Sequence, residues 1–251
     1  MKSAIGRTEV RQMTETVAFF RPDDERAREA AELITELGCE PLSDPMLEPE
    51  PTGVSPREDA DYTVLTSKTG VELASEAGWT PGGVVVAIGK PTAAVLEREG
   101  YTVDHVPDEF SSSGLVESLR EEVPGARVEV ARSDHGSPVL TEGLEAAGAY
   151  VHETILYRLV RPDGSGVSTA LAARGELAGV CFTSSLTVEH FLDAADDRGI
   201  REAAIEGLND AVVGVIGEPT RATATAAGIN VDVVPDAAEF DVLARAVVDR
   251  L

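Results

Sequence analysis

Ten residues of this 251-residue chain put a cation or a hydroxyl where an apolar run gives way to a helical pattern. They are Arg21, Ser67, Lys68, Lys90 and Thr92, then Arg132, Ser184, Ser185, Thr220 and Arg221. In a parallel α/β sheet such turns lie beyond the carboxyl ends of the strands, where helix N-termini present free N–H groups. Cations and hydroxyls gathered there suit a carboxylate or phosphate ligand. Taken singly, each also fits a helix cap or a solvated surface charge; the cluster is what points to an anion site. Tyr157, in the strand-like stretch "YVHETILYRLV", reads either as packing or as a proton donor.

Other chemistries lack their residues. His105, His135, His152 and His190 share no ligand spacing, and no C-x-x-C, H-E-x-x-H, G-x-G-x-x-G or G-x-S-x-G occurs. Metal, nicotinamide and serine-hydrolase sites are therefore unsupported. Cys39 and Cys181 stand apart, each in or beside an apolar segment, and read as small buried hydrophobes. Trp79 reads as a packing or loop residue.

The charge balance narrows the partners. Acidic residues number 45 against 21 basic ones, a net charge of −24, which opposes non-specific attraction to nucleic acid or anionic membranes. Only Lys2, Lys68 and Lys90 are lysines, so the other 18 basic residues are arginines. An acid-rich, lysine-poor surface with 4% aromatic residues suits a salt-rich cytoplasm, where screening lengths fall to about 3 Å at 1 M salt. No apolar run reaches the roughly 18 residues of a membrane span, and the N-terminus lacks the apolar region of a signal peptide, so a cytoplasmic location is expected. Residues 1–14 read as a tail.

The elements that position these residues form a repeat. Residues 84–108, "VVVAIGKPTAAVLEREGYTVDHVPD", return as residues 211–236, "AVVGVIGEPTRATATAAGINVDVVPD". At an offset of 128, Gly89, Pro91, Thr92, Gly100, Val103, Asp104, Val106 and Pro107 recur as Gly217, Pro219, Thr220, Gly228, Val231, Asp232, Val234 and Pro235. A period this long implies two copies of a small domain rather than a solenoid, whose units run to about 20–50 residues. In each half, short apolar runs alternate with helical periodicity, the pattern of a parallel α/β sheet. A strand at 17–20 precedes a helix capped by Asp23 or Asp24 and stopped at Gly38. Strands ending in Thr-Ser place Ser67, and Ser184 or Ser185, at helix starts, and the repeated Gly-x-Pro opens a further helix. Final strands are expected in "YTVDHVP" and "INVDVVP", each before a last amphipathic helix. The repeat alone would divide the chain near Pro124 and Gly125.

The order of these pieces, from "FFRPDDERAREAAELITELGCEP" through "DYTVLTSKTGVE", the first repeat, "GAYVHETILYRL" and "GVCFTSSLTVEHF" to the second repeat, resembles uroporphyrinogen-III synthase. The resemblance runs from Val17 to Leu251. It implies an α/β fold of two similar lobes, each a parallel sheet flanked by helices, joined by a two-stranded linker that the chain crosses twice. On that pattern residues 15–43 and 163–251 make the first lobe, 48–155 the second, and 44–47 with 156–162 the linker strands. The implied activity is closure of hydroxymethylbilane, a linear tetrapyrrole polycarboxylate, to uroporphyrinogen III, with loss of water, inversion of the last pyrrole ring and no cofactor. The resemblance makes the cleft between lobes the active site. Thr92 and Thr220 are its implied cleft hydroxyls, Ser67 and Ser184 its substrate-binding turns, and Tyr157 the candidate to assist the departing hydroxyl, a phenol being protonated at neutral pH. A monomer acting on a small molecule is expected. The alternative from another class is a two-lobed module that binds or senses a small anion without turning it over.

Overall fold

The computed structural model describes residues 15–251; the expected tail, 1–14, lies outside them. In chain order the elements are β1 (Thr16–Phe19), α1 (Glu25–Glu36), β2 (Glu40–Ser43), β3 (Glu48–Pro51), β4 (Tyr62–Leu65), α2 (Lys68–Glu76), β5 (Val84–Ala87), α3 (Lys90–Arg98), α4 (Ser112–Leu119) and β6 (Arg127–Ser133). After these come α5 (Pro138–Ala146), β7 (Tyr150–Val160), α6 (Val167–Ala173), β8 (Gly179–Phe182), α7 (Ser185–Asp197), α8 (Arg201–Asn209), β9 (Val212–Val215), α9 (Glu218–Ala226) and α10 (Phe240–Val248).

These elements divide into two compact units, Met1–Glu48 with Arg161–Leu251, and Pro49–Val160. The division therefore does not fall between the repeats at Pro124 and Gly125. Each unit holds one sheet. In the discontinuous unit the order is β2-β1-β8-β9, with parallel pairing throughout. Its strands β1, β8 and β9 are too apolar to leave either face wet, whereas the edge strand β2 is partly exposed. One face buries Phe20, Phe182 and Phe191 with residues of α6 to α9, and the other buries Phe19, Ile34 and Phe240 with α1 and α10. Full burial of each such side chain contributes about 1.5–3 kcal/mol.

In the continuous unit the order is β3-β7-β6-β4-β5, and β7, β6, β4 and β5 pair in parallel. Leu65, Ala87, Ala131 and Leu156 face α2 and α3, while Val64, Val86, Val128 and Val130 face α4 and α5. The repeat is visible as geometry. Asp104 accepts the Val85 N–H at 2.8 Å, and Asp232 accepts the Val213 N–H at 2.9 Å. Both helices that open on Gly-x-Pro end at a glycine with positive φ, Gly100 at 89° and Gly228 at 85°, a conformation that costs a side-chain-bearing residue more.

Three expectations need correction. The final strands at 101–107 and 229–235 are reduced to single parallel bridges, Val86 with His105 and Gly214 with Val233. There the Asp side chain takes one strand N–H that a further ladder position would use. Residues 44–47 form no linker strand. Asp44 instead turns inward, 2% exposed, and accepts the N–H groups of Gly166 and Ser168, both at 2.8 Å, and the Ser168 hydroxyl. Residues 156–160 are the end of β7, and β3 follows Asp44 as the strand hydrogen-bonded to β7.

Candidate active site

Local capping chemistry places the candidate residues. Ser67 caps α2, its Oγ accepting the Gly70 N–H at 3.0 Å, and Ser184 caps α7 in a reciprocal box with Thr187. The choice between Ser184 and Ser185 at the cap thus resolves to Ser184, and Ser185 is the first helical residue. The Gly-x-Pro helices differ. Gly89 and Gly217 cap α3 and α9 with no side-chain bond, which leaves first-turn N–H groups to be met by solvent or a ligand. Thr92 and Thr220 occupy the same turn of each helix and are 4% and 3% exposed.

Tyr157 lies near the end of β7, buried among Leu65, Val71 and Leu156. Its hydroxyl donates to Ser67 Oγ at 3.0 Å. Two residues 90 positions apart, singled out separately from sequence, are therefore in direct contact. The phenol is held by a residue whose own position is fixed by the α2 cap.

The expected cations divide sharply. Arg132 is 4% exposed, and its guanidinium is taken by Glu153 and by the Ser137 carbonyl, at 2.6 Å from Nη1. Its side chain passes so close beneath Gly136 that a Cβ there would fall 2.3 Å from Arg132 Cδ. Arg132 is thus a buried tie across the β6–α5 turn and not part of a free cationic rim. Arg221 pairs with Glu218 one helical turn back, at 3.2 Å, so the acid in the second copy is neutralised along its own helix. Lys68 and Lys90 are exposed at the first positions of α2 and α3. Arg21 is half-buried, its guanidinium carbon 4.5 Å from the centre of the Phe240 ring. Burial, and then the neighbouring Arg26, hold its pKa below the usual arginine value, and its Nε has no hydrogen-bond partner among the described residues. It lines a recess of about 340 Å³ with Arg26, Glu29, Leu33, Phe240 and Asp241.

One buried acid escaped sequence reasoning. Glu129 is fully buried in β6; one carboxylate oxygen bonds His152 Nδ1 at 2.7 Å and the other has no hydrogen-bond partner among the described residues. Its only signal in sequence is a glutamate inside an apolar run. With Arg127 and Tyr150 it lines a recess of about 570 Å³. That recess lies at the starts of β6 and β7, the opposite end of the sheet from the turns, so volume alone is a poor guide here. Among the described residues no group of three or more His, Cys, Asp or Glu could hold a metal ion, and no helix is long and apolar enough to cross a membrane.

Comparison with known proteins bears on the whole chain. Residues 28–245 match the family described as "Uroporphyrinogen-III synthase HemD". A relative from Methanothermobacter thermautotrophicus, a "Putative uroporphyrinogen-III synthase", is 34% identical over 221 residues, 81% of this chain and 86% of its own. The uroporphyrinogen-III synthase of Synechococcus elongatus is 31% identical over 167 residues, 62% of this chain and 63% of its own. Among solved structures, a mutant uroporphyrinogen III synthase from the extremely thermophilic bacterium Thermus thermophilus aligns with a TM-score of 0.62 at 20% identity, covering 93% of this chain and 97% of that one. The uroporphyrinogen-III synthetase of Helicobacter pylori aligns with a TM-score of 0.64 at 14% identity, covering 95% and 100%. At such identities the structural likeness speaks for the fold.

Proposed function

The chain belongs to the uroporphyrinogen-III synthase family and cyclises hydroxymethylbilane in tetrapyrrole biosynthesis, and from that premise we propose how its residues do so. The product is uroporphyrinogen III, formed with loss of water and inversion of the last pyrrole ring. The substrate is a long, flexible polyanion that closes spontaneously to the uninverted isomer, so catalysis is largely positioning. The observation that carries this reading is the matched pair of helix starts at Gly89 and Gly217, each without a side-chain cap and each with a buried threonine in the first turn. Carboxylate arms are held at these starts, with Ser67, Ser184 and Ser185 at the neighbouring turns and Lys68, Lys90, Arg21 and Arg221 supplying charge.

Tyr157 donates its proton to the leaving hydroxyl, which departs as water while the pyrrole nitrogen lone pair forms the azafulvene. The substituted carbon of the last ring attacks that methylene to give a spiro centre. Cleavage of the original bridge bond and rejoining at the free α-carbon invert the ring, and the proton lost from that carbon restores the phenol. Atoms balance with water as the sole by-product. Ser67 acts here as a positioning residue, holding the phenol oxygen at 3.0 Å. The protein is proposed to work as a cytoplasmic monomer without nucleic-acid partners, its oligomeric state to be read by light scattering.

The test is direct. Purified protein given hydroxymethylbilane at high salt is expected to yield uroporphyrinogen III in excess of isomer I, resolved by chromatography after oxidation. Isomer I alone, at the rate of a buffer blank, overturns the reading and leaves an anion-binding module.

A further inference from the structure

The two copies of the repeat diverge at one place beside the helix start. In the first copy Lys90 opens α3, and Phe110 lies across Gly89 from the loop before α4. A Cβ on Gly89 would meet Phe110 Cβ and Cγ at 3.2 Å, so the bare glycine is what lets the aromatic side chain approach the turn. Lys90 Nζ stands 5.7 Å from the centre of the Phe110 ring. At the same offset of 128 the second copy has Glu218 for Lys90 and Ala238 for Phe110.

Folding does not account for the ring. Phe110 precedes the α4 cap Ser111, the place from which a hydrophobic staple would reach the fourth helical residue, Leu115. Leu115 is fully buried with Val64, Val86 and Leu119, while Phe110 remains 51% exposed. The second copy starts its last helix with Ala238 in the corresponding place. An exposed phenylalanine with a cation beside it also borders a recess of about 430 Å³, lined by Lys90, Ala93, Val106, Pro107 and the acids Glu97 and Asp108.

We propose that Phe110 and Lys90 form a platform for one pyrrole ring of the substrate. The pyrrole face lies against Phe110, a carboxylate arm reaches Lys90, and the pyrrole N–H, a donor, faces Glu97 or Asp108. This rests on the function proposed above and adds a polarity to it: the first copy binds a ring with its arm, and the second copy, bearing Glu218 and Ala238, has no such platform. One ring of the substrate and its arm are thereby fixed at the first copy.

The experiment compares the parent with Phe110→Ala, Phe110→Leu, Phe110→Trp and Lys90→Ala on hydroxymethylbilane at high salt, reading KM, kcat and the ratio of isomers. Phe110→Ala is expected to raise KM about tenfold, in line with the loss of one aromatic stacking partner, and to lower the share of isomer III, with an unchanged unfolding midpoint. Phe110→Trp keeps both near parent values, while Phe110→Leu, apolar but without a ring face, behaves like the alanine variant. Lys90→Ala raises KM without the aromatic pattern. A parent that makes isomer III while Phe110→Ala keeps its KM and isomer ratio within twofold overturns the platform alone. Rescue by leucine equal to that by tryptophan also overturns it, because apolar area would then suffice. A parent that yields only isomer I overturns the platform together with the function.

Discussion

Replacing Tyr157 by phenylalanine removes one hydroxyl and keeps the ring in place, and where that hydroxyl sits sets both effects. The ring stays buried among Leu65, Val71 and Leu156, so no cavity forms. The lost bond is neutral, from the phenol to Ser67 Oγ at 3.0 Å, and costs about 0.5–1.5 kcal/mol of stability. Ser67 keeps its bond from the Gly70 N–H, so the α2 cap survives. At about 2–4 °C per kcal/mol for a chain of this size, the melting midpoint falls by roughly 1–6 °C. The rate effect is larger if the phenol gives its proton to the leaving hydroxyl. General-acid catalysis contributes about 10²–10⁴, and the expected loss in kcat is about ten- to a hundredfold, because positioning survives and the substrate's carboxylic groups can supply a proton. That equals about 1.4–2.7 kcal/mol of barrier, at or above the upper end of the stability cost. The assay pairs initial rates of isomer III formation with thermal unfolding, in Tyr157→Phe, Ser67→Ala and the double variant. Ser67→Ala loses a cap, at about 1 kcal/mol, and only part of the rate. A folded Tyr157→Phe protein with kcat within twofold of the parent refutes the role of the tyrosine.

Further outcomes follow from the same contacts. Asp104→Ala and Asp232→Ala each remove one strand-capping bond; each should cost about 1–2 kcal/mol in urea unfolding, and the costs should add because the two share no partner. Arg132→Ala should unfold at clearly lower denaturant with Glu153 left unpaired, whereas Arg221→Ala, at an exposed pair, should change stability by less than about 1 kcal/mol. Burial pushes the Cys181 thiol up to about 12. The neutral thiol is favoured only in the folded state, so its contribution is full below the ordinary thiol value and is lost as pH rises through about 12. Stability measured from pH 8 to 11 should therefore fall more steeply in the parent than in Cys181→Ala, by up to roughly 1.4 kcal/mol per pH step. With a net charge of −24, folding by circular dichroism and turnover should both rise with salt; a protein fully folded and fastest at low ionic strength contradicts that.

Much of this protein was legible locally. Asp24, Ser67 and Ser184 cap helices because a short polar side chain reaches back to a first-turn N–H, an interaction spanning three residues. Gly38, Gly100 and Gly228 stop helices with positive φ, and the repeat announced two copies of the Gly-x-Pro helix start. The helices α6 and α8 escaped notice because their N-cap residues, Gly166 and Ile200, make no side-chain cap bond. What only tertiary structure decided was set by pairings distant in sequence. The sheet takes β6 beside β4 and β7 beside β6, although the repeat suggests a break between β5 and β6. Arg132 looked like a rim cation until the strand pairing set Glu153 beside it, and Tyr157 met Ser67 only through the packing of β7 under α2. Phe110 shows the same division: its identity is plain in the sequence, but its exposure and its approach to Gly89 are set by the fold. Caps and turns are written in a few neighbouring residues, whereas the surroundings of a charge or a ring depend on which remote strands lie alongside, and that is settled by burying every apolar face at once.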